Sequence, residues 1–147
     1  MWRIFNTFIV KAIPLLPSYI IWQVAKRYVA GKNKNAALAT VQNLNNKGYS
    51  VTLDILGEHT KNKDESLDIT NEYKELLEKI HHLNLDCNIS IKPSHIGTDI
   101  SDNCIDTNFH TLINNAKKYN NFIRIDMEDS TSTDRAIDLY SSFNKKY

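Results

Sequence analysis

The pattern of apolar and polar positions divides the chain into alternating strand-like and helix-like segments. In "FIRIDMEDS", Phe122 to Ser130, apolar residues alternate with Arg124, Asp126 and Glu128. A period of two predicts a half-buried β-strand. "YSVTLDILGE" predicts another strand from Tyr49 to Leu56, broken by Gly57. "DCNISIKP" predicts a third, stopped by Pro93. Helical spacing fills the intervals. In "SLDITNEYKELLEKIHHLNL", Ile69, Tyr73, Leu76, Leu77, Ile80 and Leu83 form one apolar stripe. In "FHTLINNAKKY", Phe109, Leu112, Ile113, Ala116 and Tyr119 form another. An earlier helix carries Ala37, Val41 and Leu44, with Gly48 just past its end. A last helix, capped by Ser132 or Thr133, carries Ala136, Ile137, Tyr140 and Phe143. The order β-α-β-α-β-α, with long helical connections, predicts parallel strands, right-handed crossovers and an α/β fold.

Each predicted strand has one apolar and one polar face. Val51, Leu53 and Ile55 oppose Thr52, Asp54 and Leu56; Ile89 and Ile91 oppose Asn88, Ser90 and Lys92. Ile123, Ile125 and Met127 oppose Phe122, Arg124, Asp126 and Glu128. An open sheet covered on both sides wants two apolar faces. A closed (βα) barrel does not, and it carries its sites at the C-terminal ends of its strands. Asp54, Lys92 and Asp126 lie late in their strands, and Glu58 follows the first strand. Two readings stay open at this point. These are site residues at a barrel mouth, or they are structural pairs, Asp54 with Lys92 and Arg124 with Glu128.

Composition narrows the class. A chain of 147 residues with 24% charged residues fits one globular domain, with residues 1–48 as a helical region and 49–147 as the sheet-bearing part. A net charge of +1 gives no nucleic-acid footprint. Cys87 and Cys104 have no metal-type spacing, and Cys87 reads as a reduced core residue in a cytoplasmic protein. Adjacent His81 and His82 point to different helix faces, which argues against a metal site, and His95 reads as a solvated loop histidine. The N-terminal apolar stretch is interrupted by Lys11, Pro14 and Pro17, short of the roughly 20 apolar residues of a membrane span. It predicts one or two short amphipathic helices packed on a larger body. The sharper alternative is a peripheral membrane contact at the inner membrane.

The motifs "LDILGE", "ISIKPSHIG" and "RIDMEDS", in this order and at the spacing of barrel units, with "YVAG" before them, resemble the proline dehydrogenase family. The resemblance implies a (βα)8 TIM-type barrel that holds FAD at the strand ends. It further implies oxidation of L-proline to Δ1-pyrroline-5-carboxylate, with electrons passed to a quinone, as the first step of proline catabolism to glutamate. By the same resemblance Lys92 binds the substrate carboxylate, and Asp126 is an active-site residue close to that lysine. Met127 touches the flavin through its backbone, and Glu58 gates the site by pairing with an arginine of the final helix. The family's paired arginines have no counterpart, since the arginines are Arg3, Arg27, Arg124 and Arg135.

Three βα units are fewer than a barrel of about 250 residues requires. The expectation is therefore an N-terminal half, inactive alone. The alternatives are one half of a split flavoenzyme with a complementing C-terminal half, a different flavin barrel such as a methylenetetrahydrofolate reductase, and a non-catalytic remnant. An open barrel leaves an unpaired parallel edge, so the chain alone is expected to be poorly stable and to bind FAD weakly or not at all. Purified protein with a stoichiometric flavin spectrum that oxidises proline would overturn this.

Overall fold

The computed structural model describes residues 17–145, and the chain divides between Val41 and Gln42 into two compact units. In the first, helix α1 (Ser18–Ala25) follows Pro17, whose fixed φ suits a helix start. Helix α2 (Lys34–Asn45), whose residues from Gln42 on belong to the second unit, begins where the Asn33 side chain accepts the Ala36 N–H at 3.0 Å. The Thr40 hydroxyl donates to the Ala30 carbonyl at 2.7 Å, and Lys32 lies 4.4 Å over the Trp22 ring. The apolar stretch before Pro17 lies outside the described residues. Among the described residues no helix is long and apolar enough to cross a membrane.

The second unit is an α/β layer. Strands β1 (Val51–Asp54), β2 (Cys87–Ile91) and β3 (Ile123–Ile125) pair in parallel in the order β1-β2-β3. Helix α3 (Lys63–His82) connects the first two. A 3₁₀ turn (Pro93–Ile96) and helix α4 (Asp102–Lys118) connect the second and third, and α5 (Thr133–Asn144) follows β3. Leu53 stands opposite Ile89, and Ile89 opposite Ile123, so the apolar residues form a continuous row. Asp54, Ser90 and Arg124 are likewise in register. The Asn45 side chain ties the end of α2 to Asp86, accepting its N–H at 2.9 Å and donating to its carbonyl at 3.0 Å.

The α/β fold and parallel strands therefore hold, with shifted boundaries. Helix α3 starts before the apolar stripe does. Asn62 accepts the Glu65 N–H, and the Glu65 carboxylate accepts the Lys61 N–H, both at 2.9 Å, which satisfies donors that a helix start leaves open. Its buried face runs Ser66, Thr70, Tyr73, Leu76, Leu77, Ile80, so small polar residues fill the first turns and Leu83 is exposed. Helix α4 begins two turns earlier than its apolar stripe because Ser101 caps it, accepting the Cys104 N–H at 3.2 Å. In α5 only Ala136 and Phe143 of the expected face are buried, and Ile137 and Tyr140 are exposed. Phe143 meets Phe109 edge-on, ring centres 4.6 Å apart. Cys87 is buried as expected, and burial raises its thiol pKa to about 11.

The core lies between the apolar sheet face and helices α3 and α4, with Leu76, Leu77, Ile80, Ile89, Ile91 and Leu112 almost without exposure. Leu77→Ala should cost about 2–5 kcal/mol, through lost transfer energy and an incompletely filled cavity. Leu67→Ala on the exposed side of the same helix should cost no more than about 0.5 kcal/mol. Urea denaturation of the two variants reads this directly, and equal midpoints would contradict the assigned face.

Candidate functional site

Side chains 88, 90, 92 and 94 alternate to one side of β2 and its extension, and each meets a partner from a neighbouring element. At the base, Arg124 of β3 donates from Nε to Asn88 Oδ1 at 3.1 Å, and its guanidinium lies 5.3 Å from the Phe122 ring centre. One step higher, the Ser90 hydroxyl donates to Asp126 Oδ1, while the Asp126 N–H extends the ladder to the Ile91 carbonyl at 2.9 Å. Above that, Lys92 Nζ reaches Asp54 Oδ2 across to β1 at 2.5 Å. At the top, Ser94 donates its N–H and its hydroxyl to the two oxygens of Glu128. The polar face is therefore a set of rungs stacked along the strand axis.

The Lys92–Asp54 rung is half-buried, with 21% and 31% of the two side chains exposed. The hydrogen bond to Asp54 raises the Lys92 pKa above the ordinary lysine value, and the charges of Asp54, Asp126 and Glu128 add to it. The ammonium is thus held protonated and aimed, with further N–H donors beyond the one Asp54 takes. Asp54 is fixed from behind by the Tyr73 hydroxyl of α3 at 2.9 Å, and burial raises that phenol's pKa strongly. A positioned cation at the mouth of a parallel sheet suits an anionic group of a small ligand.

The site candidates fall as follows. Asp54, Lys92 and Asp126 come together, with Asp54 rather than Asp126 as the direct partner of Lys92. Cross-strand geometry explains this, because the serine of β2 stands beside Asp126 and takes its carboxylate. The pairing of Arg124 with Glu128 does not form, since Asn88 and Ser94 occupy these two groups. Glu58 is exposed in the loop after β1. Met127 does not continue the apolar face of β3. It is 57% exposed, because the chain leaves the sheet after Asp126.

His95 is the clearest departure. It is buried, not solvated, and its ring fills space left by Gly57, where a Cβ would come within 2.4 Å of Nε2. Its Nδ1 has no hydrogen-bond partner among the described residues, and burial lowers its pKa. Gly57 has φ +152°, a conformation open to glycine. Tyr73, Ser90 and Ser94 were not singled out from the sequence. A tyrosine within an apolar stripe at the level of a strand's end was the available signal, since a buried phenol takes a polar partner. Among the described residues no three His, Cys, Asp or Glu side chains group to hold a metal.

The model of the family described as Proline dehydrogenase matches residues 37–147. "Proline dehydrogenase 1" of Bacillus subtilis subsp. natto is 31% identical over 123 residues, covering 84% of this chain and 41% of the relative. "Proline dehydrogenase" of Deinococcus radiodurans is 32% identical, covering 82% and 40%. The chain thus spans about two-fifths of the length of these curated relatives. A crystal structure of proline utilization A from Bdellovibrio bacteriovorus, inactivated by N-propargylglycine, superposes with a TM-score of 0.76 at 18% identity. It covers 83% of this chain and 15% of that one. The solved structure shows the same fold, and with the family model matched over residues 37–147 the chain belongs to the proline dehydrogenase family.

Proposed function

We propose that the strand ends of residues 49–147 are the first part of a (βα)8 barrel active site that oxidises L-proline to Δ1-pyrroline-5-carboxylate, opening the degradation of proline to glutamate. The observation that carries this is the Lys92–Asp54 rung, a protonated amine held by a carboxylate that is itself held by Tyr73. Lys92 binds the proline carboxylate and orients the ring, so the substrate enters with its reacting carbon already placed. Asp126, fixed by Ser90, stands beside this cation and adds to the field that keeps it charged. Glu58, in the exposed loop after β1, gates entry.

FAD is the cofactor of this reading, and when bound it supplies the acceptor for a hydride, which a membrane quinone later relieves of its electrons. The residues present fit one end of it. The exposed Met127 offers an apolar side chain and its backbone just past β3, beside Asp126. A phosphate cradle is not evident, for the sequence has four glycines in all and none in a glycine-rich run. The remaining strands and the paired arginines come from further sequence, on a longer chain or on a complementing half, and the unpaired side of β3 is where the next parallel strand joins.

A peripheral contact with the inner membrane, from the cytoplasmic side, accompanies this function. Tyr19, Ile20 and Val24 of α1 and Tyr28 after it are exposed. The chain holds Arg3, Lys11, Lys26, Arg27, Lys32, Lys34 and Lys47 before its first acidic residue, Asp54. Apolar and aromatic exposure in a stretch rich in basic residues fits an anionic lipid surface.

In enzyme reconstituted with the missing strands, Lys92→Met and Asp126→Ala should each reduce kcat/KM for proline by about 10- to 100-fold, the worth of a charge-assisted hydrogen bond. Wild-type values in both would remove these residues from the site. The membrane contact is read by flotation of the purified chain with vesicles. It should co-float with phosphatidylglycerol-containing vesicles and not with neutral ones, and Lys26→Glu with Arg27→Glu should abolish this. Equal recovery on both vesicle types would count against it.

A further inference from the structure

All polar groups of Ser94 are spent on joining two loops, although Ser94 belongs to a third. The 3₁₀ turn that contains it closes through other residues: His95 N–H to Lys92 O and Thr98 N–H to Pro93 O, both at 3.0 Å. Ser94 itself is 3% exposed. Its N–H and hydroxyl both go to the Glu128 carboxylate, past the end of β3. Its hydroxyl oxygen accepts the His59 N–H at 3.0 Å, and its carbonyl accepts the Thr60 N–H at 3.2 Å and the Thr60 hydroxyl at 3.1 Å. His59 and Thr60 belong to the loop after β1.

These bonds have a direction. A carboxylate only accepts, so Glu128 compels the Ser94 hydroxyl to donate toward β3, which leaves its lone pairs for the His59 N–H. His59 sits at φ +56°, the left-handed region, which is uncommon for residues other than glycine although histidine enters it more readily than most. Its ring also meets Asp99 at 2.7 Å, and on the preceding side the His95 ring fills the space where a Cβ of Gly57 would stand. Glu58 therefore sits between a closely packed glycine and a hydrogen-bonded histidine while its own side chain stays exposed.

We infer that Ser94 and Glu128 are a positioning pair, which locks the loop carrying Glu58 to the exit of β3 two residues after Asp126. Whatever displaces the β3 exit when substrate or cofactor settles against Asp126 is passed through Ser94 to Glu58. The gate is thereby tied to occupancy of the site. The functional half of this inference rests on the proposed role of Glu58, whereas the lock does not.

The purified chain tests the lock by limited trypsin digestion with mass spectrometry, comparing the cut after exposed Lys61, just past the loop, with the cuts after Lys117 and Lys118 at the far end of α4. Ser94→Ala should speed the Lys61 cut about tenfold relative to the α4 cuts, because cleavage follows local opening. Ser94→Thr, which keeps the hydroxyl, should restore it. Glu128→Gln, which keeps the volume but loses one acceptor, should fall between. No change at Lys61 in Ser94→Ala and Glu128→Gln, or equal acceleration at all sites in both, would overturn the lock. In reconstituted enzyme, Ser94→Ala should raise KM for proline more than it lowers kcat. A faster Lys61 cut with KM unchanged would leave the lock standing and overturn its link to the gate.

Discussion

The site depends on one constraint, the placement of β2 between two parallel neighbours. β2 lies at the centre of the sheet, and all five of its residues are buried. Its polar side chains must then be satisfied sideways. The pleat sets them two residues apart, and the parallel register sets which neighbour each one meets. Asn88 finds Arg124, Ser90 finds Asp126, and Lys92 finds Asp54. A shift of one residue in the register would turn all three toward the helices and bury unpaired charge, so the rungs specify the alignment as much as they use it.

The rungs also separate two kinds of polar contact that share one chemistry. Low on the sheet, Asn88 joins β2 to both neighbours, accepting from Arg124 Nε at 3.1 Å and donating to the Val51 carbonyl at 3.4 Å, and the Arg124 guanidinium lies 5.3 Å from the Phe122 ring centre. Higher up, the cation is backed by a carboxylate and a phenol, and its surroundings are half open. The half-buried upper pair, whose ammonium keeps N–H donors beyond the one Asp54 takes, is a place where a ligand can compete for hydrogen bonds. The field there is set by the folded strands before any ligand arrives.

Much of this was legible from the chain. Alternation gave the three strands and their polar side, and the long helical stripes between them gave parallel pairing. Alternation could not give where a strand ends. In "RIDMEDS" it runs on through Met127 and Glu128, yet the chain leaves the sheet after Asp126, because ladder length is a property of the neighbour and not of the strand itself. The starts of α3 and α4 were missed for a related reason. Asn62 with Glu65, and Ser101, act through backbone donors, which hydrophobic spacing does not register. The partner of Lys92 was open between structure and site. Asp54 turned out to be both a cross-strand pair and part of the same charged cluster. His95 is buried where its sequence context suggests a solvated loop, since nothing in "PSHIG" announces that Gly57, far off in the chain, makes room for its ring.

Gly57 and His95 have an asymmetric bearing on which sequences this loop can accept. The two positions share one volume, so a smaller side chain at 95 would leave space beside position 57, which looks free to fill it. It is not, because φ +152° excludes most side chains at 57 whatever stands opposite. Change can therefore enter this pair from the histidine side only. The loop's shape is held by a backbone angle, and the histidine is the part fitted to it.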